Sequence, residues 1–196
     1  YLGEYKNEAF KINDMVVCRN TAPLIRLAYN LISARIPAKV KGRDIGEGLI
    51  SLIKKLRAKT IIELEDKLDV WKEKESQKLL AKDPEANLTK IEDKHECLKC
   101  FIQCSGAQDV DSLIRSVQSM FGEEVKGAVN LSTIHKAKGL EAHRVFILDR
   151  RLIPSSYSKK PHQLEQEYNL LYVAITRAQE ELFYIDSPRD TGRGKW

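Results

Sequence analysis

The sequence predicts an α/β protein: a parallel sheet flanked by helices, interrupted by an all-helical insert. Three observations carry that expectation. Short apolar runs at 15–18 (MVVC), 128–134 (AVNLSTI), 144–148 (RVFIL) and 181–185 (ELFYI) have the length of buried strands. Amphipathic helical patterns follow the first run and precede the last, as in βαβ units. Between them, from Arg43 to Phe121, the chain reads as consecutive helices dense in Lys and Glu.

Taken in order, MVVC is a strand, and residues 22–35 are a helix with Leu24, Leu27, Ala28, Leu31 and Ile32 on one face. Asn20 or Thr21 is placed to cap it, and Pro23 is tolerated in the first turn, where its missing N–H has no partner to lose. Residues 36–41 (IPAKVK) form a short strand ending at Gly42. The insert holds two or three helices over 43–87 with Trp71, a helix over 91–104, a break at Ser105-Gly106, and a helix over 109–121. Its interspersed charges fit a solvated face with intrahelical pairs better than a nucleic-acid stripe. The α/β pattern resumes with strands at 128–134 and 144–148. A loop over 150–163 leads to a helix over 164–179, with Leu164, Tyr168, Leu171, Tyr172 and Ile175 as its apolar face and both tyrosines as packing residues. A strand at 181–185 closes the fold. The expected divisions are 1–42 and 128–186 for the sheet domain, 43–127 for the insert and 187–196 for a flexible basic tail.

Composition narrows the class. The chain has 196 residues, is 42% hydrophobic and 31% charged, and carries 33 Lys+Arg against 28 Asp+Glu. That fits one soluble domain with an insertion and disfavours disorder. No apolar stretch approaches the roughly 18 to 20 residues of a membrane span, and the N-terminus lacks a signal pattern, so an intracellular, cytoplasmic protein with no membrane partner is expected. The first residue is Tyr, so a piece of a longer protein is expected too. The net charge of +5 is compatible with an anionic partner without establishing one. His95, Cys97, Cys100 and Cys104 offer four metal donors, but they lie on one helical segment, where Ile91, Cys97, Leu98, Phe101 and Cys104 make an apolar face. Small core residues are the favoured assignment over a metal site.

The chemistry concentrates in two segments. LSTIHKAKGLEA at 131–142 places Thr133, His135, Lys136, Lys138, Gly139 and Glu141 in the loop after a strand, where parallel sheets gather ligand contacts. QEYNLLYVAITRAQ at 166–179 puts Arg177 near the end of a mostly apolar helix. The phosphate-cradling GxxxxGK is missing, and the strand aspartate Asp149 (VFILD) is a weak metal candidate by itself.

These two segments resemble motifs V and VI of the UvrD/Rep-like superfamily 1 DNA helicases, and MVVCRN at 15–20 resembles their motif IV. The resemblance covers 15–42 and 128–186 in the family's order. It implies the second of two RecA-like domains, with ATP bound between them and single-stranded DNA crossing both. The phosphate loop and the Mg²⁺-holding acidic motif then belong to an N-terminal RecA-like domain. On this resemblance Arg177 and Arg19 reach the γ-phosphate, Gly139 and Glu141 neighbour the nucleotide, and Thr133, His135 and Lys138 touch the DNA strand. The function implied is the C-terminal motor domain of an ATP-dependent DNA helicase or translocase moving 3′ to 5′, inactive alone. The rival assignments are a non-catalytic nucleic-acid-binding module of the same fold, or the helicase part of a helicase–nuclease. Larger relatives carry a longer insert between motifs IV and V, so a reduced helical insert is implied here.

Overall fold

A computed structural model of the protein describes residues 2–4, 9–122 and 126–188, the first three by their backbone; of the basic tail expected over 187–196, residues 189–196 lie outside the described residues. The strands are β1 (Leu2–Glu4), β2 (Met15–Cys18), β3 (Ala38–Lys41), β4 (Phe121–Gly122), β5 (Val129–Thr133), β6 (Ala142–Leu148) and β7 (Ala178–Asp186). They form one sheet in the order β1-β7-β6-β2-β5-β3-β4, and every neighbouring pair is parallel. The helices are α1 (Thr21–Ser33), α2 (Arg43–Leu56), α3 (Ile61–Lys82), α4 (Thr89–Cys104), α5 (Val110–Met120) and α6 (Pro161–Ile175). This is a RecA-like α/β arrangement.

β2 is the centre of the sheet, and its four residues are all buried, as expected for a parallel strand covered on both faces. Alternation along the strands then sorts side chains into two cores. Val16, Cys18, Val129, Leu131, Phe146 and Leu148 face a large core completed by α1 and by α2–α5. Met15, Val17, Val145 and Ile147 face a smaller one completed by Ile134, Ala137, Leu170 and Ala174. The residues of 43–121 therefore cover one face of the sheet, with Leu49, Leu64, Leu98, Phe101, Leu113 and Val117 fully or almost fully buried in the same core as α1.

Four local expectations change. First, Asn20 occupies the N-cap position of α1 without a side-chain cap bond. The Asp93 carboxylate of α4 accepts from the N–H groups of Thr21 (2.7 Å) and Ala22 (3.4 Å) instead. A charged acceptor at the positive end of a helix satisfies orphan donors and the dipole together. Second, α6 starts at Pro161, where the imino acid fits the first turn, and ends at Ile175 rather than 179. Residues 178–180 enter β7 because parallel pairing with β6 begins at Ala142 and Ala178. Third, α6 buries Glu167, Leu170 and Ala174, whereas Tyr168 and Tyr172 are 56% and 68% exposed. The tyrosines are not packing residues. In α4 the apolar face likewise shifts: Cys97, Leu98, Cys100 and Phe101 are buried, Ile91 is half-buried and Cys104 is exposed.

The cap yields a comparison. Asp93→Ala should lower unfolding free energy in urea by about 1 to 2 kcal/mol. Asn20→Ala, at the formal cap position, should cost less than about 0.5 kcal/mol. An equal or larger cost at Asn20 would overturn the assignment of the cap to Asp93.

Candidate functional site

β5 and β6 lie on either side of β2 and run parallel to it. The chain leaving β5 at Thr133 must therefore return along the whole strand length before entering β6 at Ala142. It does so in eight residues, 134–141, fewer than the dozen or more that such a crossover usually takes. A tight turn achieves this: the N–H groups of Lys136 and Ala137 donate to the Thr133 carbonyl (both 2.9 Å), and that of Leu140 donates to Ala137 (3.0 Å). Ile134 and Ala137 are fully buried against the sheet. Gly139 adopts φ +83° with open space where a Cβ would sit, so backbone conformation and not close contact requires glycine there.

The candidate residues consequently fall into two groups. At the carboxyl edge, Cys18 is level with Thr133 and Leu148, so Arg19 and His135 emerge beside each other. The Arg19 guanidinium is held by Glu167 of α6 through Nε (3.1 and 3.0 Å) and Nη2 (2.7 Å). Both side chains are largely buried, 12% and 8% exposed. Glu167 also accepts from the Ser155 N–H (3.0 Å). Burial would raise the Glu167 pKa, but the Arg19 hydrogen bonds and charge, the Ser155 N–H and His135 outweigh it and hold the carboxyl below its ordinary value. Thr133 itself is buried, with its hydroxyl accepting weakly from the Lys136 N–H (3.4 Å). Lys136 forms an ion pair with Asp44 at the start of α2 (2.8 Å), while Lys138 is exposed and has no ion pair among the described residues.

At the amino edge, the Arg177 carbonyl accepts from the Ala142 N–H (3.1 Å). The Arg177 side chain bridges the last turn of α6 to the connector: Nε donates to the Val173 carbonyl (2.9 Å), Nη1 to the Leu140 carbonyl (3.0 Å) and Nη2 to the Thr176 hydroxyl (3.0 Å). Three of its five N–H groups are thereby engaged, leaving one on each terminal nitrogen. Glu141 is exposed and accepts from Gln179 (3.1 Å). Gly139, Glu141 and Arg177 thus lie together. Arg19 does not lie with them: it follows Cys18, level with Leu148, while Arg177 precedes Ala178, level with Ala142. Their backbones enter at opposite edges, but both guanidinium groups rest on α6, Arg19 on Glu167 and Arg177 on the Val173 carbonyl, six residues and about 9 Å of helix apart.

A crevice of about 520 Å³ opens at the carboxyl ends of β2, β6 and β7, lined by Asn20, Arg26, Asp93, Asp149 and Arg151 among others. Asp149 is not poised for a metal there. Its buried carboxylate accepts from the Ser187 N–H (3.0 Å) and hydroxyl (2.6 Å) and from Arg151 (3.2 Å). Among the described residues no group of three or more His, Cys, Asp or Glu is arranged to hold a metal ion. Sequence reasoning missed Glu167 and Asp93. A carboxylate spaced three and seven residues before Leu170 and Ala174 was the available sign for Glu167; nothing local marks Asp93.

Comparison with known proteins gives the family context. The family model described as the UvrD-like helicase C-terminal domain matches residues 53–187. ATP-dependent DNA helicase PcrA of Bacillus subtilis is 37% identical over 90 residues, 44% of this chain and 12% of that protein. DNA helicase II of Haemophilus influenzae is 33% identical over 117 residues, 54% of this chain and 16% of its own length. A probable DNA helicase II homolog of Mycoplasma capricolum is 50% identical over 58 residues, 28% of this chain and 8% of its own length. The chain thus matches less than a fifth of the length of each of these relatives.

The carboxyl-edge charges make His135 a reporter. Although the residue is exposed overall, packing against its ring pushes the pKa below the ordinary 6.5, and the Arg19 and Lys90 charges act in the same direction while Glu167 opposes them. Its NMR titration midpoint should fall below 6.5, drop further in Glu167→Gln and rise in Arg19→Ala. Because the folded ring binds its proton less readily than the unfolded one, the associated stability is complete above about 6.5 and is lost as pH falls through the folded midpoint. A midpoint unmoved by both substitutions would overturn the electrostatic coupling.

Proposed function

Because the chain belongs to the UvrD-like helicase C-terminal domain family, we propose that it is the second RecA-like half of an ATP-dependent DNA motor translocating 3′ to 5′. Its two sheet edges divide the work. The observation that supports this division is the eight-residue connector, which starts from Thr133 with His135 at one edge and passes through Gly139 to Glu141 at the other. The amino edge serves the nucleotide: Glu141 addresses a ribose hydroxyl, the backbone at Gly139 lies beside it, and Arg177 supplies a guanidinium to the γ-phosphate. The carboxyl edge serves single-stranded DNA through Thr133 and His135, with Lys138, midway along the connector beside Gly139, extending that contact; the buried Thr133 sets the turn, and His135 and Lys138 offer exposed polar groups.

In this assignment Arg177 is a finger with a prepared seat. The Val173 and Leu140 carbonyls and the Thr176 hydroxyl fix the guanidinium plane, while the two remaining N–H groups can meet phosphoryl oxygens. A positioned arginine of this kind is worth roughly 10³ to 10⁵ in rate in other nucleotide hydrolases. Lysine lacks the planar fork needed to keep both the seat and the phosphate. Arg19, which leaves β2 at the carboxyl edge with its Nε and one terminal nitrogen already engaged by Glu167, is assigned to the DNA edge in place of the γ-phosphate. Mg²⁺ would be held by the phosphate-loop domain, where it would neutralise phosphate charge. This chain's own residues bind, orient and stabilise charge.

The chain alone, given Mg²⁺ and ATP, should show essentially no turnover; helicase-like rates would overturn the half-motor assignment. In the polypeptide that joins it to the phosphate-loop domain, Arg177→Ala should cut ATP turnover by about 10³-fold with ATP binding retained. Replacing His135 and Lys138 should weaken single-strand binding and flatten its salt dependence. If Arg19→Ala lowers DNA-free turnover as much as Arg177→Ala does, the assignment of separate edges fails.

A further inference from the structure

Outside both edges, α4 ends on a pair of thiols. Cys100 and Cys104 sit one helical turn apart with their sulfurs 3.9 Å from each other. Cys100 is 2% exposed, whereas Cys104 is open to solvent. Two groups of α1 face them. Arg26 acts on both sulfurs as a cation. Tyr29, whose ring meets Phe101 edge-on at 5.8 Å, has a buried hydroxyl with no hydrogen-bond partner among the described residues.

We propose that Cys104 and Cys100 form a peroxide-reactive thiol pair, with Cys104 the nucleophile and Cys100 the resolving thiol. The asymmetry of the pair assigns the roles. The buried Cys100 keeps its proton and donates it to the exposed sulfur. That hydrogen bond, helped by Arg26 and opposed by partial burial, lowers Cys104 to about 7. The same contact, with burial, pushes Cys100 up. The C-terminal carbonyls of α4 oppose a thiolate there; the Cys100 S–H, 3.9 Å away, and the Arg26 charge act against them. Cys18 and Cys97, both fully buried and raised by burial, provide internal references.

In the first step the Cys104 thiolate attacks a hydroperoxide. The O–O bond breaks, one oxygen remains on sulfur as sulfenic acid, and the departing alkoxide or hydroxide takes a proton from water. The added oxygen brings an acceptor into the neighbourhood of the unpartnered Tyr29 hydroxyl. In the second step the Cys100 thiol attacks the Cys104 sulfur, the S–O bond breaks, and water leaves with the Cys100 proton. Side chains four apart on a helix have Cβ atoms about 5 to 6 Å apart, wider than the roughly 3.8 Å of a disulfide. Closure therefore unwinds the last turn of α4, where Cys104 is the final helical residue. This inference is independent of the motor assignment.

The test uses the chain itself. At pH 6.5, iodoacetamide should alkylate Cys104 about 3- to 10-fold faster in the native chain than in the same chain unfolded in urea, because thiolate fraction outweighs the lower nucleophilicity. Accessibility alone cannot make a native thiol faster than an unfolded one, so an equal or slower native rate overturns the proposal. Cys100→Ala should remove the acceleration; an unchanged rate overturns the donor role. With hydrogen peroxide, wild-type chain should yield a Cys100–Cys104 disulfide peptide, and Cys100→Ala a dimedone adduct at Cys104. A wild-type dimedone adduct without disulfide overturns the resolving role.

Discussion

The connector between β5 and β6 is the constraint on which the arrangement of this molecule turns. Two strands that flank β2 in parallel must be joined carboxyl end to amino end, and eight residues are available. A helix of useful length does not fit, so a turn closed on the Thr133 carbonyl crosses the sheet, anchored by Ile134 and Ala137 in the smaller core. Gly139 supplies the left-handed backbone that the crossing needs. α6 then covers the turn with Leu170 and Ala174, and its last residues deliver Arg177 to the Leu140 carbonyl. One short segment thereby touches both edges of the sheet. His135 and Glu141 are therefore joined by one short segment held at Thr133 and at Leu140.

The Arg19–Glu167 pair solves a different problem. Burying two charges costs several kcal/mol per ion before their attraction returns any of it, so such a pair is weak evidence for stability. Its geometry is more informative. Glu167 takes the Nε edge of Arg19 in a two-toothed contact and also holds the Ser155 N–H. Ser155 in turn meets Thr89 of α4 through their hydroxyls (3.1 Å), and Tyr157 donates to Glu92 (2.5 Å). With Asp93 capping α1, the amino end of α4 is fastened to the segments that carry Arg19 and Ser155. The helices of 43–121 are thus joined to the carboxyl edge by polar contacts as well as by the shared core.

Much of this was legible in the sequence. Apolar runs marked β2, β5 and β6 because strands buried on both faces have no alternation to obscure them. The helical periodicity of α1, α4 and α5 was equally plain. The order and spacing of the two motif segments point to a known family. α6 was misframed because its buried face begins with a carboxylate, and only the partner at position 19, 148 residues earlier, makes that burial tolerable. The same stripe, seen without Glu167, leaves Tyr168 and Tyr172 as the apparent core. The α1 cap was hidden for a related reason: Asp93 is 72 residues from Thr21. Local pattern reports which groups need partners. It does not report which distant segment supplies them. The separation of Arg19 from Arg177 was invisible for the same cause, because strand register and not spacing sets it.

α4 joins these strands of reasoning. Its amino-terminal turn carries Asp93 and its carboxyl-terminal turn carries Cys104, eleven residues and about 16 Å of helix apart. Fraying the last turn to bring two sulfurs together therefore leaves the α1 cap and the Thr89–Ser155 contact in place. What it disturbs is Arg26, which faces the thiols and also lines the crevice with Asn20, Asp93 and Asp149. A Cys104 thiolate is a counter-charge for that guanidinium; sulfenic acid or disulfide is not. Oxidation would thus alter the charge balance of the crevice through one side chain while the fold around it stays fastened. That is how a chemical event at the end of α4 can be felt at the carboxyl edge without unfolding either.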